Sequence, residues 1–262
     1  MSNSVDKDIS LLQAAVHANP ENLPLQLNLM SAYLKEEYYS KFLNEFENLI
    51  KLFPNWPQFH YDLLLKLYQF GYAGAIRKVF EDAIKHDFNN YIFFYCKGII
   101  QQIGHEQDSA IESYKKAIKT EPSFASAYLN IGITYMNNKD EENKATEYLE
   151  EAKSQYHRLA EAYFFLGIVN QSFDQITAGM YFDSFIDYAY PYLANSELMD
   201  YAKEQVKIGQ EQFSDLLAPF SFQNQVVADD STAEHDKGNP AIEDIMRLNN
   251  EYSKKWWQFW KR

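Results

Sequence analysis

Cysteine is nearly absent. Cys96 is the one thiol among 262 residues, so no disulfide can close within the chain and no multi-cysteine metal cage is available. Glycine (9) and proline (8) are scarce too, which argues for long helices over many short strands joined by tight turns. No stretch approaches ~18 consecutive apolar residues, so nothing reads as a membrane-spanning helix. Basic residues are outnumbered, 24 against 37 acidic, and a formal net charge of -13 sets the chain against nucleic acid phosphates. A nucleic-acid partner is therefore not expected. The N-terminal MSNSVDKDIS has neither the basic region nor the apolar run of a signal peptide, and with the lone cysteine this predicts a cytoplasmic location.

The patterns that carry catalysis are also missing. The sequence holds no G-x-G-x-x-G, P-loop, H-E-x-x-H or G-x-S-x-G element. The histidines at 17, 60, 86, 105, 157 and 235 are scattered, none with a second His or Cys at ligand spacing. His60 falls in an aromatic slot and Cys96 on an apolar helix face, so both read as core residues. Acid pairs such as Glu141 and Glu142, or Asp229 and Asp230, lie in turn-like sequence where solvated charge is the ordinary outcome. No catalytic residue, metal or cofactor is expected.

What is present is a period. Pro20, Pro54 and Pro122 stand at multiples of 34, and Phe88 fills the missing slot. Ala15, Leu49, Ala83, Ala117, Ala152 and Ile186 recur every 34 or 35 residues, as do Gly98, Gly132 and Gly167. Columns that share one spacing of this size mark a stack of supersecondary units. Inside a unit the apolar spacing is helical. Phe94, Gly98 and Gln101 share one helix, Ala110, Tyr114 and Ala117 the next, with Gly104 and His105 at the turn between. Small residues at Gly98 and Ala110 let two helices approach closely while a large aromatic fills the space beside them.

These residues resemble the tetratricopeptide repeat, a 34-residue helix–turn–helix unit. The match is strongest at 125–159, with Tyr128, Ile131, Gly132 and Tyr135 on a first helix and Ala145, Leu149 and Ala152 on a second. One extra residue lies in its turn, between Lys139 and Lys144. The expected architecture is all-α: a right-handed solenoid of about five repeats over 1–217. The units are 23–56, 57–90, 91–124, 125–159 and 160–193, flanked by helices at 5–19 and 196–217, the latter capped by Ser196. The first two units depart from the pattern by carrying Met30 and Leu64 where later units have glycine, and the fifth has Gly179 in a usual alanine slot and Pro191 at its end.

The resemblance implies that first helices line a concave groove. Leu27, Ser31, Tyr61, Leu65, Tyr68, Ile92, Tyr95, Ile99, Leu129, Ile133, Met136, Phe164 and Ile168 fall on that face, with Asn130 beside them and Lys35 and Gln102 at its edge. Such an apolar face suits a hydrophobic helical or extended peptide segment. The competing reading is that these side chains pack between units. One subgroup of the family grips C-terminal carboxylates with a Lys, Asn and Arg clamp. Asn130 matches its asparagine, but Tyr95, Glu161 and Phe165 stand where the cations belong, so that mode is rejected. The function expected is a non-enzymatic protein-interaction scaffold.

After Pro219 the periodicity fails. Residues 218–238 read as an acidic, flexible linker, whose coil would span about 25 Å. Asn239 and Pro240 then open a Trp-rich helix over 239–262, with Ile242, Ile245, Met246, Tyr252, Trp256, Phe259 and Trp260 on one face and Trp257 beside them. The last nine residues, KKWWQFWKR, carry +4, which leaves -17 for the rest. Four readings stand open for this segment: docking into the chain's own groove or a second copy's, lying on an anionic membrane surface, anchoring to another protein, or closing the end of the solenoid. The protein as a regulatory or assembly subunit of an enzyme complex is a further alternative.

Overall fold

The computed structural model describes residues 2–86, 90–137, 141–189 and 197–226. Its packing divides the chain into two units, 1–213 and 214–262. Among the described residues all regular structure is helical. A leading helix α1 (Ser2–Ala18) precedes five helix pairs: α2 (Leu23–Lys35) with α3 (Tyr39–Leu52), α4 (Pro57–Leu67) with α5 (Ala73–His86), α6 (Tyr91–Ile103) with α7 (Gln107–Thr120), α8 (Ala125–Met136) with α9 (Glu142–Gln155), and α10 (Ala160–Asn170) with α11 (Gln175–Tyr188). The chain continues into α12 (Glu197–Val226). This is an all-α repeat solenoid, with each pair inside one of the five expected units.

Helix starts follow local chemistry. Asn22 accepts the Leu25 amide at 3.1 Å, Asn90 the Ile92 amide at 3.0 Å, and Asp174 the amides of Ile176 and Thr177 at 3.0 and 3.1 Å. Pro57 opens α4, where its missing N–H is not needed. The turns inside units repeat as well. Glu37, Gly71 and His105 take positive φ of 58°, 92° and 61°, spaced 34 apart, and end the first helix of each of three units in the left-handed region. The Tyr38 amide returns to the Tyr33 carbonyl at 2.8 Å and the Glu106 amide to Gln101 at 2.8 Å, so the orphan carbonyls are satisfied. At the middle unit the same turn becomes a π-helical stretch, Tyr68–Tyr72.

The glycine column is explained by what faces it. A Cβ on Gly132 would lie 2.7 Å from Leu149 Cγ, and one on Gly167 would lie 2.8 Å from the Phe182 ring; Tyr114 takes the same place against Gly98. Each first helix therefore lies tight along its second helix in the last three units. Where Met30 and Leu64 fill that column, α2 against α3 and α4 against α5 touch sparsely, and the gap is filled by Phe42, Phe46 and Phe80, mutually tilted or edge-on at 5.9–6.1 Å. Gly179 departs from the repeat because α12 crosses α11 there backbone to backbone. A Cβ on Gly209 would meet the Gln175 carbonyl at 2.9 Å and Gly179 Cα at 3.1 Å.

One boundary is corrected. The closing helix was expected to stop at residue 217, yet α12 runs through Pro219 to Val226, so the first part of the expected linker is helical. Phe88, Lys139, Pro191, the proposed cap Ser196, the rest of the linker and the 239–262 segment with Ile242, Ile245, Met246, Tyr252, Trp256, Trp257, Phe259 and Trp260 lie outside the described residues.

Candidate functional site

The first helices α2, α4, α6, α8 and α10 form the inner layer, each packed on the next. The curl is tight enough for α4 to reach α8 across the face of α6. Ser126 Oγ, on α8, donates to the carbonyl of Pro54, just before α4, at 2.6 Å. That closure decides which predicted groove residues meet solvent.

Ile92, Tyr95 and Ile99 on α6 were expected to line the groove, but they are buried because α4 and α8 meet over them. Tyr95 is 0% exposed, its ring edge-on to Phe124 at 4.9 Å and its hydroxyl 3.3 Å from His60 Nδ1. Phe164 is also core, against Phe182 and Phe185 at 5.6 and 5.1 Å, because α11 packs over that side of α10. Leu27, Leu65, Tyr68, Met136 and Ile168 are half-buried. Tyr68 turns to Arg77, which it supports together with Glu106, 2.8 Å from the guanidinium.

Among the described residues a cavity of about 270 Å³ lies between α4, α6, α8 and α10. Tyr61, Leu129, Asn130 and Ile133 of the predicted set line it. Pro57, Gln58, Gln102, His105, Gln107, Asn137, Glu161 and Phe165 complete it. The face is thus less apolar than the sequence pattern implied, because the hydrophobic side chains turned inward while amides stayed at the opening. Gln102 was legible as an edge residue and Glu161 and Phe165 as the clamp positions; Gln58, His105 and Gln107 had no signal, since only the α4–α8 closure brings them together.

The lining is partly preorganised. The Tyr114 hydroxyl donates to Gln102 Oε1 at 2.7 Å and accepts from Asn130 Nδ2 at 3.3 Å, which fixes both amides. Gln58 Nε2 donates to Asp62 at 2.9 Å, leaving its own carbonyl oxygen toward other donors. Gln107 Oε1 is buried and accepts no hydrogen bond. Glu161 is 5% exposed and stands in the first turn of α10, where the helix dipole favours a carboxylate. Burial pushes the Tyr95 phenol well above its ordinary range, and the charge of Glu161 adds to that.

Neither candidate for chemistry is poised. The Cys96 thiol is buried and pushed up by desolvation, which disfavours the thiolate a nucleophile needs. Burial lowers His60 to about 3. Among the described residues no group of three His, Cys, Asp or Glu could hold a metal ion, and no helix is long and apolar enough to cross a membrane. His60 carries a pH prediction. Its folded pKa lies below the ordinary 6.5, so the unfolded chain binds the extra proton and stability falls as pH drops below 6.5. The half-buried carboxyls of Glu45, Asp62 and Asp183, raised by desolvation, act oppositely near their own lower range. Between about pH 5 and 6.5 we therefore expect a loss approaching ~1.4 kcal/mol per pH unit, absent in His60→Phe, by chemical denaturation at each pH.

A TPR repeat family model matches residues 106–139, which span α7 and α8, the second helix of one unit and the first of the next. No curated protein sequence matches the chain. Among solved structures, yeast Tom70 is similar at TM-score 0.53 and 17% identity, covering 82% of this chain and 46% of that one. The APC/C hetero-tetramer Cut9–Hcn1 is similar at TM-score 0.46 and 13% identity, covering 77% and 40%. A thermophilic TPR protein of Thermus thermophilus is similar at TM-score 0.47 and 16% identity, covering 71% and 99%. The chain spans less than half the length of the first two. The likeness to Tom70 is one of fold.

Proposed function

We propose that this chain, an all-α solenoid carrying a tetratricopeptide repeat, is a non-enzymatic scaffold that binds a polypeptide segment in the cavity between α4, α8 and α10. Tetratricopeptide repeats generally mediate protein–protein contact, and the observation that carries the reading here is the cavity itself. It gathers side chains from four successive first helices, is part apolar (Tyr61, Leu129, Ile133, Phe165) and part amide, and can take alternate side chains of an extended strand or one face of a helix. The partner chemistry shifts accordingly from purely hydrophobic to amphipathic.

The C-terminal segment 239–262 is the proposed regulatory ligand of that face: aromatic, basic, and covalently supplied to an acidic solenoid. A short tether holds a ligand at an effective concentration in the ~mM range, enough to fill a weak site. Three of the four tryptophans lie in this segment. The fourth, Trp56, stacks on Phe53 at 4.5 Å and can be replaced by Phe to leave only tail fluorescence. In the full-length Trp56→Phe protein, acrylamide should quench the tail at least about threefold less than the free 239–262 peptide, and Tyr61→Asp should restore full quenching. Full quenching in the unsubstituted background would remove self-docking. A blue shift appearing only with phosphatidylserine vesicles would instead assign the segment to a membrane surface.

A further inference from the structure

Each polar group of the cavity is defined by what its own bonds leave over. Gln102, in the last turn of α6, and Gln107, the first residue of α7, flank one turn and both line the cavity. Gln102 Oε1 accepts from the Tyr114 hydroxyl at 2.7 Å, so the NH2 is the side of this amide left for a ligand. Gln107 is the reverse: its Oε1 is buried and accepts no hydrogen bond. An unfilled buried acceptor carries a desolvation cost that an entering donor removes. Gln58 adds a second acceptor, since its Nε2 donates to Asp62 at 2.9 Å. The Tyr61 hydroxyl and the His105 ring can donate or accept. Among the described residues the lining holds no lysine or arginine, and its one carboxylate, Glu161, is already engaged within the fold. The cavity offers donors and acceptors together.

From this we infer that the cavity is a receptor for a side-chain carboxamide of the bound segment, a glutamine above all, whose oxygen accepts from Gln102 and whose NH2 donates to Gln107. The inference rests on the peptide-binding reading above and specifies the partner's chemistry. A carboxamide is a neutral group that presents acceptor and donor on one plane. A carboxylate answers Gln102 but not Gln107, and an ammonium the reverse, and either ion enters without an uncommitted counter-charge. A cavity of about 270 Å³ takes one long side chain rather than a folded element, and Leu129, Ile133 and Phe165 give its methylene stem an apolar wall. In the C-terminal segment 239–262 the one glutamine is Gln258, set between Trp257 and Phe259. Gln258 is the residue of that segment assigned to the cavity.

The test uses the full-length protein with Gln258→Met, so that the chain's own glutamine does not compete. N-acetyl-glutamine methylamide is titrated while the side-chain NH2 signals of Gln102 and Gln107 are followed by NMR. Saturable shifts with a Kd on the order of 1–10 mM are expected, as for a single anchored side chain. N-acetyl-methionine methylamide has similar length and the same two main-chain amides. It should bind at least about fivefold more weakly, because it leaves both glutamines of the cavity unpaired. The glutamate analogue should also be weaker, for it lacks the donor that Gln107 requires. Gln107→Met should erase the preference for glutamine over methionine. Tyr114→Phe keeps the ring and releases Gln102, so it should reduce that preference and decides the matter should Gln107→Met perturb α7. Equal binding of the two probes, a preference that survives these substitutions, or no shift up to about 50 mM probe overturns the inference. In the Trp56→Phe protein, Gln258→Met should also raise acrylamide quenching of the tail toward that of the free peptide, and unchanged quenching overturns the assignment of Gln258. Failure here is separable from failure of the scaffold reading. If tail tryptophans are shielded in a Tyr61-dependent way while the two probes bind alike, the carboxamide site alone falls. If the glutamine probe binds selectively while shielding is absent, self-docking and the Gln258 assignment fall, and the receptor stands for a glutamine of another polypeptide.

Discussion

Tyr95→Asp is expected to unfold the middle of the solenoid rather than to weaken a bound peptide. On the sequence pattern this residue faces an open groove, where a carboxylate would disturb only ligand binding. In the structure it is sealed beneath α4 and α8, its hydroxyl beside His60 and its ring against Phe124 and Tyr114. Losing a buried aromatic costs about 3–5 kcal/mol, and an uncompensated buried carboxylate adds several more. The total destabilisation should exceed about 5 kcal/mol, enough to remove the cooperative thermal transition of the central repeats. Circular dichroism on heating checks this. Tyr95→Phe, which keeps the ring and drops only the hydroxyl, should lose no more than about 1–2 kcal/mol. A folded Tyr95→Asp protein with an unchanged thermal midpoint would contradict the closure of α4 on α8.

The second large effect is expected at Gly132. A leucine there would drive its Cβ into the Leu149 side chain at 2.7 Å and toward the Ala145 carbonyl at 3.2 Å. The side chain can move, but the carbonyl belongs to the α9 backbone, so the two helices must separate. Overpacking of this kind costs about 3 kcal/mol or more, which for a domain of this size lowers the thermal midpoint by about 6–12 °C. Leu149→Ala in the same chain should recover only part of the loss, since the carbonyl contact persists. The slot is not uniform along the chain. Met30 occupies it in the first unit, where α2 and α3 lie farther apart, so Met30→Gly should destabilise through a cavity instead.

Most of the fold was legible because periodicity is a property of sequence alone. The 34-residue columns placed all five helix pairs, and the glycines at 98, 132 and 167 announced which pairs pack tightly. The left-handed turn column was half hidden. Gly71 signals it, while Glu37 and His105 do not, since nothing in their identity requires positive φ. Gly179 looked like a flaw in the repeat and is a crossing point for α12, a long-range contact that no local pattern encodes.

The site was less legible, for a geometric reason. Spacing along a helix tells which face points inward, not how tightly successive units curl. A gentle curl would have exposed Ile92, Tyr95 and Ile99; the observed one buries them along with Leu129 and Asn130, which still line the cavity, and leaves Tyr61 and Ile133 half-buried beside it. The same curl recruits Gln58 and Gln107, which no periodic argument could select. Glu161 stood out in sequence only as a residue of the wrong charge for a carboxylate clamp.

The central claim is that a polypeptide segment occupies the cavity between α4, α8 and α10. Photo-crosslinking tests it most directly, with benzoylphenylalanine placed at Tyr61 in the full-length protein and, for comparison, at the exposed Lys116 of α7. Irradiation and peptide mass mapping should join position 61 to residues 239–262 well above the level found from position 116. Equal or absent cross-linking to that segment from the two positions would contradict the account.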